Sequence, residues 1–148
     1  MLVPHGTLIL AVDGSHMQLL RNRGRDHAPD LETLRHNYAI RQPSHLMEAD
    51  APGRSFESVG TARHAYPTQD LHQRQIDAFA LDGLRALEQL LGADDRAVVI
   101  APPRILGLLR SQFSHRLRAC LIAELDKDVA QFKPGEIASY LHGFGKYN

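Results

Sequence analysis

VVIAPPRILGLLRSQFSHRLRACLIAELDKD, residues Val98 to Asp128, reads as a buried strand, a proline-started helix, a second strand and an acidic turn. Ala97 to Ala101 is apolar without alternation, the pattern of a strand covered on both faces. Pro102-Pro103 then fixes the backbone for a helix whose first turn has no use for the proline N–H. Ile105, Leu108, Leu109 and Phe113 supply its buried face, and a strand over Ala119 to Leu125 returns before Asp126-Lys127-Asp128. This is one βαβ unit, and it is expected to form the centre of a sheet with its helix over one face.

Working outward toward the N-terminus, Thr7 to Val12 is a second apolar run, bounded by Gly6 and by Asp13-Gly14, a hairpin signal. The run His16 to Arg23 is its antiparallel partner, with Met17 and Leu19 on one face. Leu34, His36, Tyr38 and Ile40 alternate with Arg35, Asn37, Ala39 and Arg41, which predicts a third strand with one drier face. Gln42 to Pro67 has prolines and glycines but no period of 2 or 3.6, and reads as a long loop, a place where function concentrates. A helix follows, opened by an Asp70/Gln73 capping box and carrying the stripe Ile76, Phe79, Ala80, Leu84, Leu87, Leu90 and Leu91 as far as Gly92. Lys133-Pro134-Gly135-Glu136 starts a last short helix with Ile137 and Leu141 inward. The order β-β-β, loop, α-β-α-β-α predicts a single α/β domain over residues 1–148, an N-terminal antiparallel meander in a mixed sheet with helices packed on it.

With 17 basic and 17 acidic side chains the chain has no net field to steer it toward nucleic acid or a membrane. No apolar run approaches the roughly 18 residues of a membrane span. Cys120 is the single cysteine, placed in the returning strand as a core filler, so neither a disulfide nor a thiolate metal site is available. The short Thr7–Val12 run, without a preceding Lys or Arg, is no signal-peptide core, and the expected compartment is the cytoplasm.

Ala101-Pro102-Pro103-Arg104-Ile105-Leu106-Gly107-Leu108-Leu109-Arg110 followed by Glu124-Leu125-Asp126-Lys127-Asp128-Val129 resembles the bacterial host attachment protein family, with support at Asp13-Gly14-Ser15 and Pro52-Gly53-Arg54. That family is related to the middle domain of archaeal and eukaryotic class-one peptide-chain release factors. The resemblance covers nearly the whole chain and implies a ribonuclease H-like fold. In the release-factor domain a loop just before the long helix carries Gly-Gly-Gln and enters the peptidyl-transferase centre. The matching place here reads GRSFESVGTARHAYP, residues Gly53 to Pro67, and Gly60 is followed by Thr61. Without the glutamine or the paired glycines, peptidyl-tRNA hydrolysis by that mechanism is not supported. An RNA-facing role for this loop is still available: Arg54, Arg63 and His64 can meet phosphates, and Phe56 or Tyr66 can stack on a base, against the plainer alternative of solvated side chains.

Arg104, Arg110, Arg116 and Arg118 with His115 form a second basic cluster, with no acidic residue from 104 to 118. It reads either as a phosphate-binding edge or as an ordinary charged outer face, since Arg104 and Arg110 do not share a helix face. Asp13, Asp126 and Asp128 sit at predicted strand ends, where metal-dependent nucleases of the ribonuclease H type hold divalent ions. Turn formation and capping explain them more cheaply. None of the nine histidines has a metal-ligand spacing, and nucleophile-elbow, phosphate-loop and dinucleotide motifs are missing from the sequence. No metal or cofactor is expected. The leading expectation is therefore a non-enzymatic, release-factor-like module that binds ribosome or structured RNA. The alternative is a protein-interaction module needed, directly or indirectly, for attachment to host cells, with a nuclease as a minor third reading.

Overall fold

The structure is a computed structural model. It describes residues 1–40 and 67–145, without the side chains of 67–69. Its organising element is β1 (Leu8–Val12), whose five residues are all buried. On one side β1 pairs antiparallel with β2 (His16–Asn22), from Leu8 opposite Arg21 to Val12 opposite Met17. On its other side β1 pairs parallel with β4 (Ala97–Ile100). β3 (Leu31–Tyr38) extends β2 antiparallel, and β5 (Leu121–Leu125) extends β4 parallel, so the sheet runs β3-β2-β1-β4-β5. The mixed sheet and its opening meander are as the sequence predicts. The βαβ unit, however, forms one flank of the sheet, because β5 has no further neighbour and β1 occupies the middle.

Consecutive residues of a strand face opposite ways, and here both ways lead into a core. Leu8, Leu10, Val12, Met17, Leu19 and Val99 pack against α1 (Pro67–Leu90), α2 (Pro103–Arg110) and α3 (His115–Cys120). Ile9, Ala11, Leu20, Val98 and Ile100 meet α4 (Pro134–Gly143) and the segment before it. Burying a leucine or isoleucine of this kind contributes about 1.5–3 kcal/mol, which is why the strands are apolar throughout. Gly83 of α1 sits over this sheet: a Cβ there would stand 3.0 Å from Met17 Cγ, so the missing side chain lets helix and sheet approach.

Four local expectations change. α3 occupies residues assigned to the returning strand: Ser114 caps it by accepting from the Leu117 N–H at 3.0 Å, and Cys120 ends a helix with Leu121 beginning β5. On α2 the buried residues are Ile105, Leu106 and Leu109, with Leu108 only half-buried. α1 begins at Pro67, so Asp70 lies inside its first turn and pairs with Arg74 at 2.8 Å, while Gln73 donates to Asp77 at 3.1 Å. The drier face of β3 does not exist, since Leu34, His36, Tyr38 and Ile40 are all exposed and only Leu31 of the strand is buried. The physical reason is position and register. β3 is the outermost strand, and the pairing slips from Leu19 opposite Arg35 to Leu20 opposite Thr33, leaving Leu34 as the extra residue of a bulge.

The β2–β3 turn is built around Asn22, which is fully buried. Its Nδ2 donates to the Val3 carbonyl at 2.8 Å, and its Oδ1 accepts from the Gly24 and Asp30 N–H groups at 2.8 and 2.9 Å. Gly24 is required there because a Cβ would lie 2.5 Å from the Ala28 carbonyl oxygen and 2.7 Å from the Asp30 nitrogen. Gly24→Ala should destabilise by about 1–3 kcal/mol in urea unfolding, since backbone cannot step aside as a side chain can. Deleting Leu34 restores regular alternation along the β3 edge with every other pairing kept. Light scattering should then show stronger concentration-dependent self-association than for the parent chain, and an unchanged profile would mean that the bulge does not guard the edge.

Candidate functional site

The chain connections leave β1 and β4 in opposite directions along the sheet, β1 to β2 and β4 toward β5. In open α/β sheets the carboxyl ends of strands at such a reversal are where sites form. Asp13, directly after β1, occupies this place and is 7% exposed. Its Oδ1 accepts from the backbone N–H groups of Ser15 at 2.7 Å and His16 at 2.6 Å, and from Ser15 Oγ at 3.4 Å. This is the turn-forming role that an Asp-Gly pair suggests. Gly14 is part of the same fit, for a Cβ on it would stand 2.8 Å from Ile76 Cγ2 of α1. His16 Nδ1 lies 3.0 Å from Ser15 Oγ, and the imidazole stacks on Tyr38 at 6.4 Å between ring centroids.

The segment after β5 closes against this turn. Gln131 Nε2 donates to Asp13 Oδ2 at 3.5 Å. Gln18 of β2, itself buried, donates through Nε2 to the carbonyls of Ala130 at 2.8 Å and Phe132 at 2.6 Å, which ties the segment to the sheet. Asp128 is exposed as a residue, yet its carboxyl is partly desolvated against the turn. That desolvation, then the charge of Asp13 and a hydrogen bond shared with it, raise the Asp128 carboxyl above the usual range, and His16 partly offsets them. Burial first, and then the Asp126 charge, push up the Tyr140 hydroxyl. The three aspartates do not converge as metal ligands. Among the described residues, no group of three or more His, Cys, Asp or Glu is placed to hold a metal ion.

The arginines are engaged within the fold. Arg104 donates to Asp77 of α1 at 2.7 Å, Arg110 pairs with Glu124 of β5, and Arg116 donates to the Glu88 carbonyl at 2.6 Å. Arg118 donates to the Arg110 carbonyl at 2.6 Å and lies over the Phe113 ring at 5.5 Å. Arg104 and Arg110 are thus directed to different elements, the arrangement of a charged outer face. Gly53, Arg54, Phe56, Gly60, Arg63, His64 and Tyr66 lie outside the described residues. Cys120 borders a cleft of about 550 Å³ with Asp94, Asp95, Arg96 and Arg116, and burial raises its thiol above the usual range, so it remains protonated at neutral pH. Neither Gln18 nor Gln131 stands out in the sequence as a site residue. The available signal was a glutamine within the apolar run of β2.

The Arg104 hydrogen bond, the largest cause, holds the Asp77 carboxyl below its usual range despite some opposing desolvation. A depressed carboxyl stabilises the fold above its unfolded value, and that stability is lost as pH falls through the folded value. Because both side chains are partly exposed, Arg104→Ala should cost no more than about 1 kcal/mol at pH 7 in urea unfolding. The cost should vanish in acid once Asp77 is protonated, and a cost independent of pH would show that packing, not charge, is what the arginine supplies.

No curated protein and no solved structure matches the chain. A family model does: it describes proteins required for attachment to host cells and matches residues 8–141, from the first residue of β1 into α4. That match takes in every strand of the sheet and the helices on both its faces, and by it the chain belongs to the family of proteins required for attachment to host cells.

Proposed function

We infer that the chain serves attachment to host cells as a protein-interaction module, acting indirectly from the cytoplasm and without catalysing a reaction. The observation that carries this reading is the family match across the whole sheet. No helix among the described residues is long and apolar enough to cross a membrane, which suits a module that works through partners and not as an integral anchor. The sequence preceding α1 has no Gly-Gly-Gln, which argues against a hydrolytic release-factor role. The finer kinship, a ribonuclease H-like sheet of release-factor type, is part of the same proposal, and its support is the mixed sheet with an N-terminal meander. The ribosome-binding or RNA-binding reading competes with attachment, but its key side chains, Arg54 and Arg63, lie outside the described residues.

Two measurements separate these readings. A strain lacking the chain should adhere less to host cells and recover when the chain is restored, with the protein found in the cytoplasmic fraction. Unchanged adherence would sink the attachment reading, and a mainly extracellular pool would sink the indirect one. Pull-down with and without ribonuclease should return protein partners insensitive to the nuclease. Ribosome co-sedimentation at low salt that disappears when Arg54 and Arg63 are replaced would instead establish the RNA reading.

A further inference from the structure

The cleft of about 550 Å³ beside Cys120 lies where β4 and β5 begin, at the end of the sheet opposite Asp13. Its two cations are held differently from the arginines that pair with carboxylates. Arg104 and Arg110 are neutralised by Asp77 and Glu124. Arg116 of α3 instead donates to the main-chain carbonyl of Glu88 at 2.6 Å, which fixes the guanidinium without an ion-pair partner among the described residues. Arg96 directly precedes β4, and its carbonyl accepts the Leu8 N–H at 2.9 Å, so its backbone is fixed to the sheet. Its exposed side chain has no hydrogen-bond or ion-pair partner among the described residues. Of the two carboxylates at the cleft, Asp95 is already engaged: Oδ2 accepts the Gly92 N–H at 2.7 Å and Oδ1 meets Arg21 at 3.5 Å. Asp94, exposed in the same turn, has no such partner among the described residues.

The sheet supplies an apolar part of the lining through an irregularity. Pairing of β4 with β5 steps from Ala97 opposite Leu121 to Val98 opposite Ala123, which leaves Ile122 as an extra residue. A bulge re-aims the side chain it carries, and Ile122 is 38% exposed where it borders the cleft beside Leu121. A concavity of this size, with apolar walls and a few fixed polar groups, is the form a small-molecule site takes. Two guanidiniums without carboxylate partners match a dianionic phosphate monoester better than a singly charged carboxylate, and their planar forks suit its oxygens. We propose that this cleft binds a small organic phosphate, with the phosphate against Arg96 and Arg116 and the apolar part against Leu121 and Ile122. No phosphate-binding motif marks it in the sequence, because side chains from separate elements form it and not one glycine-rich turn. This goes beyond the attachment reading and does not depend on it.

The test titrates the full chain with adenosine 5′-monophosphate and with phenyl phosphate, each compared with inorganic phosphate, following backbone amide and arginine side-chain shifts by NMR. At least one ester should bind saturably and about tenfold more tightly than inorganic phosphate, with shifts centred on Arg96, Arg116, Leu121 and Ile122. Arg96→Ala, a change at an exposed position, should weaken ester binding about tenfold through loss of a charge-assisted contact. Arg116→Ala should do the same, with urea unfolding as the check that the end of α1 keeps its stability. Ile122→Gln should weaken ester binding roughly threefold or more and leave inorganic phosphate unchanged. Asp94→Asn should tighten it roughly twofold by removing a like charge. Failure of both esters to saturate below about 10 mM, an ester that binds no better than inorganic phosphate, shifts centred elsewhere, or an Arg96 variant that binds like the parent would each overturn the proposal.

Discussion

β1 is hydrogen-bonded along both edges and covered on both faces, and the other elements take their places from it. A strand in this position must be apolar at every residue, since neither alternation phase reaches water. Its two partners run in opposite senses. The antiparallel side is closed by a short turn, whereas the parallel side requires a long return through α1. The two cores are consequently inseparable: Leu10 belongs to the α1 face and Ile9, its neighbour in sequence, to the α4 face. A disturbance of β1 is felt in both.

The same constraint explains why the polar chemistry collects at one end. A buried central strand cannot carry charge along its length, so its first polar residue appears where it emerges from the sheet, and that residue is Asp13. The turn closes upon its carboxylate, and the 126–132 segment arrives beside it because β5 runs parallel to β4 and ends at the same edge. The convergence of Asp13 with Asp128 and Gln131 is thus a result of topology acting on residues remote in sequence. Gln18 shows how the convergence is held: a buried amide with two carbonyl acceptors costs little to bury when both are present and a good deal when they are not.

What could be read from the chain alone divides along physical lines. Leu8–Val12 and Ala97–Ile100 are legible because unbroken apolar runs of strand length, bounded by turn residues, have few other solutions. The proline start of α2 and the hairpin at Asp13-Gly14 are legible because proline and glycine chemistry is local. α3 was missed because six residues rich in arginine show no clear period, and its Ser114 cap becomes meaningful only with Leu117 folded over it. β3 misled because alternation signals a buried face only if something lies against it, and an outermost strand with a bulge has nothing there. The acidic residues were visible as a set, but that the three do not form a metal cluster depends on where the sheet edge places each of them.

The parallel pairing of β1 with β4 also bears on how the chain is made. Leu8 finds its neighbour at Ala97, so during synthesis the meander of β1, β2 and β3 can form early while one apolar edge of β1 has no strand beside it. Contacts this distant in sequence are slow to close, and an unpaired apolar strand edge is the kind of surface on which nascent chains associate wrongly. The N-terminal half of this protein is therefore the part that most needs shelter on the ribosome, until the residues around Ile100 have emerged to complete the sheet.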